Sequence, residues 1–212
     1  AENAVKQAHS AGLPTFNLDL MHGLPDQSVE NAMADLKQGI ELTPYHLSWY
    51  QLTIEPNTPF YSKPPELPDD DILWEIQEKG HSLLERAGYH QYEISAYAKA
   101  GHQCRHNLNY WRFGDYLGIG CGAHGKITDA ANGTIHRTVK VKHPRGYMEM
   151  SRPYLDTQTL VSADDLPFEF FMNRFRLVEP CPMSDFSDFT GTELTDDVKR
   201  ALSDAHHQGL LS

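Results

Sequence analysis

The 212-residue sequence has little cysteine, and what it has does not pair. Cys104, Cys121 and Cys181 are an odd set with no CxxC unit, which argues against a disulfide framework and a conventional structural zinc site. Basic charge is also scarce: 18 Lys and Arg against 29 Asp and Glu leave a net charge of −11, which argues against a general nucleic-acid partner. The one basic cluster, Arg137 to Arg145, is short and reads as a solvated strand face. No apolar run approaches the roughly 20 residues of a membrane span, so no transmembrane segment is expected. No charged, apolar and small-residue succession marks a signal peptide. The chain is therefore read as cytoplasmic, with peripheral membrane association left open. Low-complexity tracts are missing too, and the length suits one large domain, alone or with a small appendage.

What is present is concentrated in one stretch, residues 101–125, reading GHQCRHNLNYWRFGDYLGIGCGAHG. Its polar, aromatic and glycine content has two readings. One is a surface for a large flat ligand: imidazole and thiol ligate iron, rings cover a plane, and glycine lets backbone come close. The other needs no ligand: Gly118, Gly120 and Gly122 alternate with Leu117, Ile119 and Cys121 as in a buried strand beside another backbone, and His106 and Asn107 are caps or turn residues. The chain has 12 histidines, most of them isolated, and His206-His207 reads as a solvated helix face.

The first half alternates strand with helix. The helical stripe Ala1, Ala4, Val5, Ala8, Ala11 stops at Gly12-Leu13-Pro14. Phe16 to His22 alternates apolar with polar, and Gly23-Leu24-Pro25-Asp26 breaks it. A helix capped by Asp26 or Ser28 carries Val29, Ala32, Met33, Leu36 and Ile40 and ends at Thr43-Pro44. A second strand, His46 to Thr53, leads through a Pro-rich loop into a helix begun by Asp69, Asp70 and Asp71, with Ile72, Leu73, Ile76, Leu83, Leu84 and Ala87 inward, stopped by Gly88. A third strand, Tyr89 to Ile94, completes the series. This rhythm implies parallel pairing, with loops 22–27, 54–68 and 95–112 as the rim of one site at the carboxyl ends of the strands. Asp19 falls near a strand end, opposite the apolar residues, where a carboxylate needs hydrogen bonds or a function.

The second half changes character. Residues 114–141 read as short strands with a hairpin signal at Asn132-Gly133. Ala163 to Glu179 reads as a helix whose Phe168, Phe170, Phe171 and Phe175 pack in a core. After Pro180-Cys181-Pro182, residues Met183 to Ser212, with a helix at Thr195 to His207, read as the start of a winged-helix-like unit. A first residue inside a helical pattern, without Met, leads to the expectation that this is a piece of a longer protein.

Four ordered blocks then become recognisable: Asn17 to Pro25 (NLDLMHGLP), Gln51 to Thr58 (QLTIEPNT), His106 to Trp111 (HNLNYW) and Gly118 to Gly125 (GIGCGAHG). Together they resemble the HemW family, radical S-adenosylmethionine heme chaperones similar to oxygen-independent coproporphyrinogen III oxidase. Pro167 to Arg174 (PFEFFMNR) extends the likeness. The resemblance implies an α/β fold: the C-terminal part of an incomplete (β/α) radical-SAM-type barrel, residues 1–100, then glycine-rich strands over 101–162 and a truncated helical C-terminal domain over 163–212. It also implies a [4Fe–4S] cluster on a CxxxCxxC loop, which this chain lacks.

Residue by residue, the resemblance implies that Asp19 contacts S-adenosylmethionine and that the chain near Leu52 and Ala123 lines the adenine side. His106 opens the HNxxYW motif and is the implied heme-iron ligand, with Tyr110 and Trp111 packing on the macrocycle. Cys104 is a weaker axial candidate, and His124 an alternative facing the cofactor pocket. The expected function is a heme-binding chaperone delivering heme to a recipient protein, with S-adenosylmethionine and [4Fe–4S] in the intact parent. Two alternatives stand beside it: an anaerobic coproporphyrinogen III oxidase, and a ligand-free structural domain, with homodimerisation through an unpaired strand edge.

Overall fold

Ser28 and Asp69 each accept a hydrogen bond from the backbone N–H three residues on, and each starts a long helix. The computed structural model that shows these caps describes residues 2–149, 151 and 153–211. Ala1, placed on the first helical stripe, and Ser212, at the end of the C-terminal segment, lie outside the described residues. The chain divides into two compact units, residues 1–104 and 105–212.

The first unit runs α1 (Glu2–Ser10), β1 (Asn17–His22), α2 (Val29–Glu41), β2 (His46–Gln51), the one-turn α3 (Pro59–Ser62), α4 (Asp70–Arg86), β3 (His90–Glu93) and β4 (Ala96–Ala98). Its sheet has the order β1-β2-β4-β3. β1 and β2 are parallel, in register from Asn17 beside His46 to His22 beside Gln51. Leu47 and Trp49 of β2 and Tyr97 of β4 turn toward the helices and form one core with Ala32, Leu36, Ile76 and Leu84. Each of the buried Leu and Ile side chains contributes about 1.5–3 kcal/mol on burial. Gly80 makes room for this core, because a Cβ there would stand 1.8 Å from Trp49 Cη2.

One expectation about this sheet is corrected. The third strand does not extend the parallel series, since β4 lies between it and β2 and runs antiparallel to both. A turn at Ile94-Ser95 reverses the chain, and the three-residue β4 occupies the place beside β2. The chain after Ala98 therefore leaves at the His46 end of β2, so residues 99–104 lie at the end opposite the loops that follow β1 and β2.

The second unit runs α5 (Arg105–Trp111), β5 (His124–Asp129), β6 (Thr134–Lys140), the one-turn α6 (Pro144–Tyr147), β7 (Leu155–Leu160), α7 (Leu166–Arg174), α8 (Met183–Thr190) and α9 (Asp196–His207). β5, β6 and β7 form an antiparallel sheet, and Gly133 at φ +62° closes the β5–β6 hairpin where Asn132-Gly133 signalled it. Phe170 is at the centre of the core, edge-on to Phe113 at 5.5 Å and to Phe186 at 5.4 Å, with Ile135, Leu166 and Leu194 around it.

Three readings of this half change. Residues 117–123 form no strand: Leu117 is 66 % and Ile119 78 % exposed, so their alternation with glycine is that of a surface loop. The aromatic helix is shorter than the expected 163–179, because the Arg174 guanidinium is turned inward and donates to the Pro180 carbonyl at 2.6 Å, drawing the following chain back. Phe168 and Phe175, assigned to packing, are 70 % and 44 % exposed.

Candidate functional site

In β1 and β2 the face turned away from the helices is polar over the first four residues of each strand and gives way to Met21 and Tyr50. Asn17, Asp19, His46 and Ser48 share that face, with Asp19 beside Ser48 in register. Asp19 is the third of six residues in β1, which places it within the strand and not near its end; the strand continues because His22 is buried on the other face. The Asp19 carboxylate is exposed and accepts one hydrogen bond, from Asn17 Nδ2 at 2.9 Å. Asn17 Oδ1 meets His46 Nδ1 at 2.6 Å, and His46 Nε2 meets the Tyr92 hydroxyl at 2.7 Å. The face thus presents an acceptor-only group on an ordered polar strip, chemistry suited to hydroxyl or ammonium donors of a small ligand. Leu52 follows β2, half-buried, its N–H donating to the His22 carbonyl at 2.8 Å.

In the second unit, α5 carries the HNLNYW block. His106 and Tyr110 lie one turn apart, and both meet the ring of Tyr116, at centroid distances of 5.2 and 6.2 Å. The His106 ring is exposed and has no hydrogen-bond partner among the described residues. A neutral imidazole in that state has a lone pair available for iron, and its aromatic neighbours suit a flat ligand, so these residues fit heme. Trp111 is tied differently. The Arg176 guanidinium covers its ring at 4.3 Å, and its Nε1 is buried without a partner. Cys104 is half-buried, and its backbone N–H donates to the Tyr92 hydroxyl at 3.3 Å.

Two glycines let the loop after Tyr116 run against β5. A Cβ on Gly118 would stand 2.2 Å from the His124 carbonyl oxygen, and one on Gly125 2.6 Å from Thr138 Oγ1. Ala123 ends that loop half-buried with both backbone groups engaged, to Gly120 and Lys140, so it offers a ligand only its methyl. His124, the first residue of β5, is exposed. Behind the loop, Lys126 is buried against Phe113 and paired with Asp115 at 2.9 Å. Burial pushes the Lys126 ammonium below its ordinary pKa, against the pull of Asp115. For Asp115 burial works upward, but hydrogen bonds from Thr128 and Lys126 outweigh it and leave the carboxyl below its ordinary value. This pair anchors the loop from beneath.

The cysteines do not fit an iron–sulfur cluster. All three are free thiols, and no group of three His, Cys, Asp or Glu placed to hold a metal occurs among the described residues. The basic stretch is partly neutralised, since Arg137 pairs with Glu169. Sequence reading missed Tyr116 and His46. Tyr116 lies outside HNxxYW and meets His106 only through the fold, and His46 looked like an ordinary strand residue.

A family profile described as the HemN C-terminal domain matches residues 161–212. The heme chaperone HemW of Escherichia coli is 63 % identical over all of this chain and 55 % of its own length, and that of Haemophilus influenzae is 63 % identical over 90 % of this chain and 49 % of its own. The solved structure of Escherichia coli coproporphyrinogen III oxidase (HemN), a radical SAM enzyme, superposes with a TM-score of 0.69 at 18 % identity, over 90 % of this chain and 47 % of that one. The chain spans about half the length of the curated relatives it matches. Mixed α/β, with its C-terminal segment matching the HemN C-terminal domain and most of its length superposing on HemN, the chain belongs to the HemW family.

Proposed function

We propose that the protein containing this chain is a heme chaperone that binds heme through the second unit described here and passes it to a recipient protein. The observation that carries the reading is the His106 ring: exposed, free of hydrogen bonds and flanked by Tyr110 and Tyr116, in a chain 63 % identical along its whole length to a protein named a heme chaperone. In this reading His106 ligates the iron, and Tyr110 and Tyr116 pack on the macrocycle. Trp111 contributes the part of its ring that Arg176 leaves open. Leu117 and Ile119, exposed beyond Tyr116, add apolar cover, and Arg105 supplies a cation for the propionates. Asp19 is the contact to S-adenosylmethionine, with Leu52 on its adenine side. A [4Fe–4S] cluster, which would supply electrons for adenosylmethionine cleavage, would take its ligands from cysteines other than Cys104, Cys121 and Cys181.

No helix among the described residues is long and apolar enough to cross a membrane. The reading is tested by anaerobic heme titration of the chain and its His106→Ala variant, followed by absorption. A saturable Soret shift that the variant loses is the expected outcome. Unsaturable binding, or identical curves for the two proteins, would remove His106 as the ligand.

A further inference from the structure

Asp19 stands at the end of a run of hydrogen bonds whose polarity follows from the carboxylate. A carboxylate only accepts, so the Asn17 side-chain atom 2.9 Å from Asp19 Oδ1 is the NH2 group. That orientation turns Asn17 Oδ1 to His46 Nδ1 at 2.6 Å, and because Oδ1 accepts, Nδ1 carries the proton. Burial pushes the His46 imidazole below its ordinary pKa, with Asp19 and Glu93 pulling part of the way back, and the ring is neutral at pH 7. Nε2 is then an acceptor for the Tyr92 hydroxyl at 2.7 Å, and Tyr92 in turn accepts the Cys104 backbone N–H at 3.3 Å. The Ser48 hydroxyl, 3.1 Å from Asn17 Nδ2, flanks the same amide. His46 is buried and Asp19 is exposed, so the inner end of the run is held while the outer end faces outward.

We propose that His46 is a positioning residue for Asp19: its Nδ1–H holds the Asn17 amide in the orientation that donates to Asp19 Oδ1. The carboxylate is thereby fixed with Oδ2, which has no hydrogen-bond partner among the described residues, turned to the donors of a ligand. A flipped Asn17 amide would set its oxygen against the carboxylate, acceptor to acceptor, and its NH2 group against the Nδ1–H of the Tyr92-linked imidazole, donor to donor. The functional part of this inference rests on the reading of Asp19 as a contact to S-adenosylmethionine.

The test uses the full 212-residue chain. Imidazole 15N spectra should show His46 as the neutral Nδ1–H tautomer, and the Nε2–H tautomer would overturn the proposal. Two near-isosteric variants separate positioning from packing. His46→Asn places an amide donor close to the position of Nδ1, and His46→Gln places one close to that of Nε2. The Asp19 carboxyl and Asn17 amide resonances should stay near their wild-type positions in His46→Asn. In His46→Gln the Asp19 resonance should move as far as Asn17→Ala moves it. Equal behaviour of the two variants would overturn the proposal. Should both lose the sheet, Tyr92→Phe serves instead, since removing the donor to Nε2 should mix the tautomers and shift Asp19, and unchanged spectra would again overturn it.

Titration with S-adenosylmethionine then addresses the ligand. Affinity should fall about tenfold in His46→Gln and stay within about twofold of wild type in His46→Asn, the size expected for one hydrogen bond to a charged group. Wild type and Asp19→Asn binding S-adenosylmethionine alike would remove the ligand reading, while the tautomer and resonance shifts would still decide the positioning.

Discussion

His22 carries an imidazole into an apolar interior, 1 % exposed and at 4.2 Å from the Trp49 ring, with its Nδ1 buried and unpartnered. Burial pushes its pKa down to about 4 from 6.5. The folded value lies below the unfolded one, so the stability that neutral His22 contributes is full above about pH 6.5 and is lost as the pH falls toward 4. Between pH 7.5 and 4.5 the loss from this group is roughly 2–3 kcal/mol. Urea unfolding of wild type and His22→Phe at those two pH values should show wild type losing more by that amount, and equal losses would refute the assignment. How far single residues were legible follows the same division between local and distant causes. Asp19 could be singled out from the sequence because a carboxylate in an alternating strand is anomalous on its own strand. His46 and Tyr116 could not, because what marks them is a partner brought close by the sheet or by the turn after α5.

Elements were legible where their ends are set by local chemistry. Ser28, one of the two caps the sequence offered, caps α2; Asp69 and Thr195, each the first residue of an expected helix, cap α4 and α9; and Gly88 at φ +81° follows the end of α4. β4 was not legible, since three residues, Ala96-Tyr97-Ala98, carry no measurable period, and their strand character comes from pairing with β2 and β3. The packing of α4 on the sheet gives a sharp prediction. Gly80→Ala places a methyl within the Trp49 ring, so the helix must shift or the indole must move, at a cost of about 3 kcal/mol. Thermal unfolding should report it as a clear drop in Tm. A variant as stable as wild type would mean that Trp49 has free space elsewhere.

At the scale of the whole molecule, β1 and β7 each pair on one side only among the described residues, and all six β7 residues are exposed. Such edges template association. Light scattering should show the mass rising with concentration, and Leu155→Lys with Leu160→Lys should reduce that rise; a monodisperse wild-type monomer would count against it. The cysteine arrangement predicts no reductive cleavage of S-adenosylmethionine by this chain alone, and 5′-deoxyadenosine formed after dithionite treatment would contradict that. The reversed β4 also orders the assembly of the first sheet. The β3–β4 hairpin joins residues adjacent in sequence and can close in about 1–10 μs. Pairing β4 with β2 must wait for α3 and α4 to be spanned, and pairing β2 with β1 for α2. Each of those closures draws on chain entropy before its contacts are made. The sheet therefore starts at two places, the β3–β4 hairpin and the β1–β2 pair across α2, and the β2–β4 seam, which must span α3, α4 and β3, is the last to close. The strand that presents Asp19 is thus laid down beside β2 before the two halves of the sheet meet.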